Sequence, residues 1–198
     1  MVREGLEVAD YQESLHLLRR LDSSAESARA AVSEFIEILG ADKRFFEIGV
    51  KEIYENLSSE LPIFPVDGAL ELLADLAAQH QLAIVTVGNP VQQMEKLKKA
   101  GIDSHIFSKI AVIEERNKKP HYQTIVDELG YASSEVLVCG DRIPLDLVPA
   151  RELGYKTVQM QWGRGLNSSG FKGDVDYSIS ELKDLKNIID DLMTFSAF

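Results

Sequence analysis

Basic side chains are in short supply in this chain. Across 198 residues, 21 Lys and Arg face 32 Asp and Glu, for a formal net charge of −11. Nucleic-acid binding rests on basic patches, and Arg116, Lys118 and Lys119 do not outweigh this acidity. No nucleic-acid partner is expected. Cysteine is nearly absent: the one residue, Cys139, excludes an internal disulfide framework. No apolar run approaches the ~20 residues that span a bilayer, so no membrane partner is expected either. The opening Met1-Val2-Arg3-Glu4-Gly5 lacks the apolar core of a secretory leader. A cytoplasmic setting is the expectation. What is present is ordinary for a globular protein: 45% hydrophobic and 27% charged residues, enough for a sizeable core.

The first ~60 residues carry helical periodicity and no strand pattern. Leu15, Leu18 and Leu21 form one stripe, and Ala28, Ala31, Val32, Phe35 and Leu39 a second. Asp22-Ser23-Ser24 offers N-cap side chains between them, and Gly40 ends the second helix. Phe46, Val50, Ile53 and Leu57 form a third stripe. Pro62 and Pro65 mark a boundary, giving an all-helical domain over 1–62 and a second domain over 63–198.

Beyond the boundary the texture alternates. A helix from Ala69 leads to the strand Leu82–Val87, then a helix with Val91, Met94 and Leu97 inward. A short strand around Lys109–Ile113 follows, then a helix with Tyr122, Ile125, Val126 and Leu129. The strand Val136–Cys139, a helix near Leu145–Leu153, the strand Tyr155–Met160 and a closing helix from Leu182 complete the pattern. Strands alternating with helices predict an α/β domain with a doubly wound parallel sheet. Gly163–Gly173, with four glycines and two serines, is a loop.

Ligands bind beyond the carboxyl ends of strands in such sheets, and three polar segments fall there. Gly140-Asp141-Arg142-Ile143-Pro144-Leu145-Asp146 puts two carboxylates after an apolar strand, a seat for a hard divalent cation. Thr86-Val87-Gly88-Asn89 offers a hydroxyl and backbone N–H groups at a helix start for a phosphate oxygen. Lys118-Lys119-Pro120-His121 offers an ammonium point charge.

In this order the three segments resemble motifs II, III and IV of the haloacid dehalogenase-like (HAD) superfamily, over residues ~62–192. The resemblance implies a HAD-like Rossmannoid core and makes the first 60 residues look like the family's helical cap. It implies that Thr86, with Gly88 and Asn89, binds the transferring phosphoryl group. It gives Lys119, followed by Pro120 as in the family, the motif III role. It makes Asp141 and Asp146 the ligands of Mg²⁺. The implied activity is Mg²⁺-dependent hydrolysis of a small phosphorylated metabolite, a phosphoric monoester hydrolase.

One part of the pattern is missing. The family's motif I is an apolar strand ending in Asp-x-Asp, which supplies a nucleophile and a general acid–base. Asp10 follows Glu7-Val8-Ala9, too short and polar for such a strand, and Asp67-Gly68 holds one acid. Asp174-Val175-Asp176 follows no apolar strand. A catalytically silent HAD-like binding or interaction protein is therefore the second expectation, and motif I upstream of Met1 a third. In the family that strand lies between those of motifs II and IV. Its absence calls for direct pairing of Leu82–Val87 with Val136–Cys139, a strand from a partner, or homodimerisation. A response-regulator-like signalling domain fits less well, because the helical part precedes the sheet.

His16, His80, His105 and His121 show no metal spacing, though His121 adjoins Lys119. Cys139 reads as an inert core residue. Trp162 is placed to rim a pocket or to cover the sheet end, and Arg142 to pair with an acid.

Overall fold

Residues 1–54, 62–170 and 172–195 are described by a computed structural model of the chain. The chain divides into two compact units, Met1–Leu61 and Pro62–Phe198.

The first unit is helical throughout, with α1 (Tyr11–Ser24), α2 (Ala28–Ile38) and α3 (Arg44–Tyr54). Asp10 caps α1, its Oδ1 accepting from the Glu13 N–H at 2.8 Å. The Asp22–Ser24 segment does not cap α2, as the sequence suggested, because α1 runs through it. Ser27 caps α2 instead, accepting from the Ala30 N–H at 3.1 Å. The unit's core gathers Leu6, Leu21, Ala31, Val32, Phe35, Ile36 and Phe45. The third stripe is rotated from its expected position. Phe45 and Gly49 are buried, while Phe46 is only partly so and its ring stacks under the Arg29 guanidinium at 4.8 Å. Leu57, the end of that expected stripe, lies outside the described residues.

The second unit is a parallel α/β fold. It begins with α4 (Ala69–Ala77), β1 (Leu82–Val87), α5 (Pro90–Lys99), β2 (Phe107–Ile113) and α6 (Lys119–Leu129). It continues with β3 (Leu137–Gly140), α7 (Val148–Arg151), β4 (Lys156–Met160), β5 (Tyr177–Ile179) and α8 (Lys183–Phe195). The helix expected near Leu145–Leu153 is a π turn, Ile143–Leu147, running into the single turn of α7. β5 was not foreseen; three residues flanked by loop are too few for a periodicity to register.

The strands form two parallel sheets, not one. β1 pairs with β2 from Leu82–Phe107 to Val87–Ile113. β4 stands between β3 and β5, paired parallel to both. Direct pairing of β1 with β3 does not occur among the described residues.

Helices cover both faces, and each layer serves both sheets. On one side Leu72 and Leu76 of α4 and Leu185 of α8 form a cluster with Val158, Met160 and Ile179. Leu82 of β1 and Leu137 of β3 pack against that cluster. On the other side Tyr122, Val126, Ala150 and Tyr155 receive Val85 of β1 and Val138 of β3. Successive strand residues point to opposite faces, which is why Leu82 and Val85 join different layers.

Candidate functional site

The carboxyl ends of β1, β2 and β3 lead into the three polar segments. β3 ends at Gly140, and the chain leaves through Asp141 into the π turn. That turn carries Asp146 back against the strand, where it is 6% exposed. Gly140 permits the approach. A Cβ there would stand 2.6 Å from the Asp146 Cβ and 2.9 Å from its Cγ. The Arg142 N–H donates to Asp146 Oδ2 at 2.9 Å, and the Asp146 N–H donates to the Arg142 carbonyl at 2.7 Å.

The lysine that meets these acids is Lys118, not Lys119. Lys118 Nζ lies 2.6 Å from Asp146 Oδ1, and the two side chains are 12% and 8% exposed. Lys119 Nζ instead meets Glu152 Oε2 at 2.7 Å, with side chains 42% and 54% exposed. Tyr122, Ile125 and Val126 are the buried residues of α6, and Lys118 is one turn before Tyr122 on that stripe. Lys119, three residues before Tyr122 and seven before Val126, borders the same stripe, so spacing alone does not separate the two lysines.

Electrostatics at the acids are set by burial and crowding. Burial pushes the Asp141 carboxyl above the usual aspartate range, and the neighbouring Asp146 carboxylate adds to the rise. Arg142 opposes it in part. The Tyr122 hydroxyl is raised, by burial first and then by Asp146. Cys139 is exposed by surface area although protein crowds most of its surroundings. Burial, then Asp146 and Asp141, push its thiol up to about 11. A thiol so raised is a poor nucleophile at neutral pH.

The other segments are placed less simply. Thr86 is the penultimate residue of β1, opposite Val112 of β2. Gly88 does not offer a free donor, because its N–H is spent on the Ile113 carbonyl at 2.9 Å. Asn89 caps α5, its Oδ1 accepting from the Gln92 N–H at 3.2 Å. Trp162 is 58% exposed, just beyond β4. His121 pairs with Glu115 at 2.8 Å.

A wall that sequence reasoning missed stands beside Asp141. The 3₁₀ segment Gly163–Asn167 runs past it with Gly165 buried. A Cβ at Gly165 would overlap the Met160 carbonyl oxygen and come within 3.2 Å of the Asp141 Cβ. Gln159 Nε2 donates to the Gly165 carbonyl at 3.1 Å, and Ser168 Oγ accepts from the Ile143 N–H at 2.9 Å. The loop expected over Gly163–Gly173 is thus tied to the acidic turn.

The Asp-x-Asp at 174–176 is structural. Asp176 accepts from the Thr157 N–H at 2.9 Å, the Thr157 hydroxyl at 3.0 Å and Arg151 at 2.5 Å. Burial alone would raise its carboxyl, but these donors hold it below the usual range.

Two converging carboxylates are hard oxygen donors that suit Mg²⁺, which keeps most of its waters. Among the described residues no group of three or more His, Cys, Asp or Glu side chains converges to hold a metal. Also among them, no helix is long and apolar enough to cross a membrane.

A parallel α/β unit with a lysine and two acids at its strand ends is a class of fold suited to anionic ligands. Residues 18–160 match the profile of haloacid dehalogenase-like hydrolases, and the chain belongs to that family. It is 27% identical over 199 residues to a glyceraldehyde 3-phosphate phosphatase from Methanocaldococcus jannaschii. That match covers 97% of this chain and 86% of the relative. A protein of the same name from Pyrococcus furiosus is 29% identical, over 63% of this chain and 54% of its own length. Among solved structures, a predicted phosphoglycolate phosphatase from Haemophilus somnus superposes with a TM-score of 0.65. It is 21% identical, over 95% of this chain and 86% of that one. This last likeness establishes the HAD-like Rossmannoid fold.

Proposed function

We propose that this chain binds the phosphate group of a small phosphorylated metabolite together with Mg²⁺, in a phosphatase-type site of the second unit. The observation that carries the reading is the buried Lys118–Asp146 pair beside Asp141, at the carboxyl end of β3. Asp141 and Asp146 would hold the cation, which when bound neutralises charge on phosphate oxygens. The raised Asp141 carboxyl supports this, since a bound cation relieves the crowding of two acids. Thr86 would donate its hydroxyl to a phosphoryl oxygen. Lys118, rather than Lys119, supplies the ammonium in this reading. The relatives named glyceraldehyde 3-phosphate phosphatase support a small phosphorylated ligand. The helical unit would act as a cap, and the setting would be cytoplasmic.

A second reading has an observation of its own. Hydrolysis through a phospho-aspartate needs a free carboxylate. The one Asp-x-Asp in this sequence is committed through Asp176 to Thr157 and Arg151. This favours a phosphate-binding protein that is catalytically silent as it stands. Removing one member of a site that acts as a unit costs nearly the whole rate.

One experiment separates the two. Release of phosphate from an aryl phosphate and from glyceraldehyde 3-phosphate is measured with and without Mg²⁺. Mg²⁺-dependent turnover lost in Asp141→Asn establishes hydrolysis. No turnover, with calorimetric binding of inorganic phosphate that needs Mg²⁺ and Asp141, establishes the silent reading. Neither turnover nor binding overturns both.

A further inference from the structure

Aspartate and asparagine side chains readily accept from the backbone N–H two residues further on. Two helices of this chain begin that way. Asp42 Oδ1 accepts from the N–H of Arg44, the first residue of α3, at 2.8 Å. Asn117 Oδ1 accepts from the N–H of Lys119, the first residue of α6, at 3.2 Å. Asp103 Oδ1 takes the His105 N–H at 2.9 Å over the same two-residue step. Asp141 stands in the matching place before Ile143, the first residue of the π turn. It does not take that N–H. The Ile143 N–H donates to Ser168 Oγ, 25 residues away, at 2.9 Å.

The donors at the start of the turn show why an outside acceptor is needed. The Arg142 N–H goes to Asp146 Oδ2 at 2.9 Å. Pro144 has no N–H, and those of Leu145 and Asp146 go to the Arg142 carbonyl at 3.1 and 2.7 Å. Ile143 is 6% exposed, so its N–H must find a protein partner. Arg142, at the cap position, carries no side-chain acceptor. The backbone differs accordingly. Lys118, between Asn117 and Lys119, is helical at φ −79°, ψ −18°, and there the two-residue bond closes. Arg142, between Asp141 and Ile143, is extended at φ −107°, ψ 101°, and there the bond runs to the wall.

Ser168 is held in place on either side. A Cβ at Gly165 would come within 3.2 Å of the Asp141 Cβ, and one at Gly170 would overlap the Ile143 Cγ2. Its hydroxyl accepts without bringing another charge to two crowded acids. Ser168 also lies outside the residues 18–160 that match the family's profile.

We propose that Ser168 is a positioning residue for the cation site: by taking the Ile143 N–H it leaves the Asp141 carboxylate available to ligate Mg²⁺ beside Asp146. The inference rests on the reading of those two acids as Mg²⁺ ligands. Without Ser168, Asp141 turns back onto Ile143, as Asp42 does onto Arg44, and the two carboxylates no longer share one seat.

The test has two arms, both on the whole chain. Without metal, amide exchange at Ile143 is followed by NMR. It should stay slow in Ser168→Ala, because Asp141 takes over the donor, and slow in Asp141→Ala, because Ser168 keeps it. It should rise at least tenfold when the two substitutions are combined. With metal, Mg²⁺ and Ca²⁺ affinities are measured by calorimetry at fixed inorganic phosphate. Loss of a group that orients a metal ligand costs roughly 10–100-fold in affinity, and Ser168→Ala should weaken Mg²⁺ by at least that lower figure. Mg²⁺ demands near-ideal octahedral geometry whereas Ca²⁺ tolerates irregular ligands, so Ca²⁺ affinity should change less than about threefold. Asp176→Asn, a structural change away from the acids, should leave both affinities as in the parent. Unchanged Mg²⁺ affinity in Ser168→Ala overturns this inference alone. So does an equal loss of Mg²⁺ and Ca²⁺, or an Ile143 amide already fast in that single variant. A parent chain that binds no Mg²⁺ overturns the cation reading and this inference with it.

Discussion

Removing the Lys118 ammonium should cost far more than removing that of its neighbour Lys119. The pair Lys118–Asp146 is 2.6 Å long, with side chains only 12% and 8% exposed. In Lys118→Met the Asp146 carboxylate stays buried beside Asp141 and keeps one backbone donor, the Arg142 N–H. Breaking a buried pair from one side costs roughly 3–5 kcal/mol. The surviving donor argues for the lower end, about 3 kcal/mol. Lys119 meets Glu152 at 2.7 Å, but with side chains 42% and 54% exposed. Solvent screens that pair, and Lys119→Met should cost less than about 1 kcal/mol. The assay is urea unfolding in chelator, followed by the fluorescence of Trp162, the one tryptophan, which lies in the second unit. Asp146→Asn completes a double-mutant cycle with Lys118→Met. Once the acid is neutral, loss of the lysine should matter little, giving a coupling of at least about 1.5 kcal/mol. Equal losses for the two lysine variants would refute the reasoning, as would a coupling inside about 0.5 kcal/mol.

Three further outcomes follow from the geometry. Gly165→Ala drives a methyl into the Met160 carbonyl oxygen and toward Asp141; it should cost about 1–3 kcal/mol by urea unfolding and weaken Mg²⁺-dependent phosphate binding more than Gly163→Ala does. Tyr155 is 1% exposed, and its hydroxyl has no hydrogen-bond partner among the described residues. Tyr155→Phe should leave the melting temperature unchanged or raise it, by up to about 2 kcal/mol of stability; a drop would mean the hydroxyl is satisfied. Asp176 has a lowered carboxyl in the folded chain, so its contribution is full above its ordinary value of 3.8 and is lost as pH falls through the lowered one. The stability gap between the parent and Asp176→Asn should accordingly be steady near neutral pH and shrink below about pH 4; a gap independent of pH would remove Asp176 from the acid limb.

The elements were legible in the sequence because their signals are local. Helical stripes placed α1, α2, α4, α6 and α8, and apolar runs placed β1, β3 and β4. Signals were lost where one residue's phase decides. Phe45 rather than Phe46 is buried in α3, and Lys118 rather than Lys119 faces the acids. In both cases two like residues stand side by side, so type cannot choose between them, and for the lysines the stripe borders both. The acids were legible as a pair, but not the cause of their closeness. That cause is the missing side chain at Gly140 and the π turn that swings Asp146 back. The Gly163–Asn167 wall was illegible for a different reason. Its contacts to Asp141 and Ile143 run to residues more than 20 positions earlier, and a glycine-rich stretch reads as loop whether or not it is packed.

Strand pairing is the property that local sequence specifies least. β1 and β3 each have the composition of a strand buried on all sides, and either could template any apolar neighbour. Their amphipathic helices decided the faces, since α4, α6 and α8 each bury one stripe and must find a sheet to bury it against. Nothing comparable decided the edges. Direct pairing of β1 and β3 would have satisfied two rows of backbone groups, yet the chain does not adopt it among its described residues. The helical layers give the physical reason. Leu82 and Leu137 already sit on one cluster and Val85 and Val138 on another, so each strand is anchored by side chains on both faces. Closing the gap would drag four half-buried residues out of contacts worth only part of the roughly 1.5–3 kcal/mol of a fully buried side chain. The ladder gained would return about 0.5–1.5 kcal/mol per hydrogen bond over strands of four to six residues. The two sums are of similar size, so face packing is able to hold the edges apart.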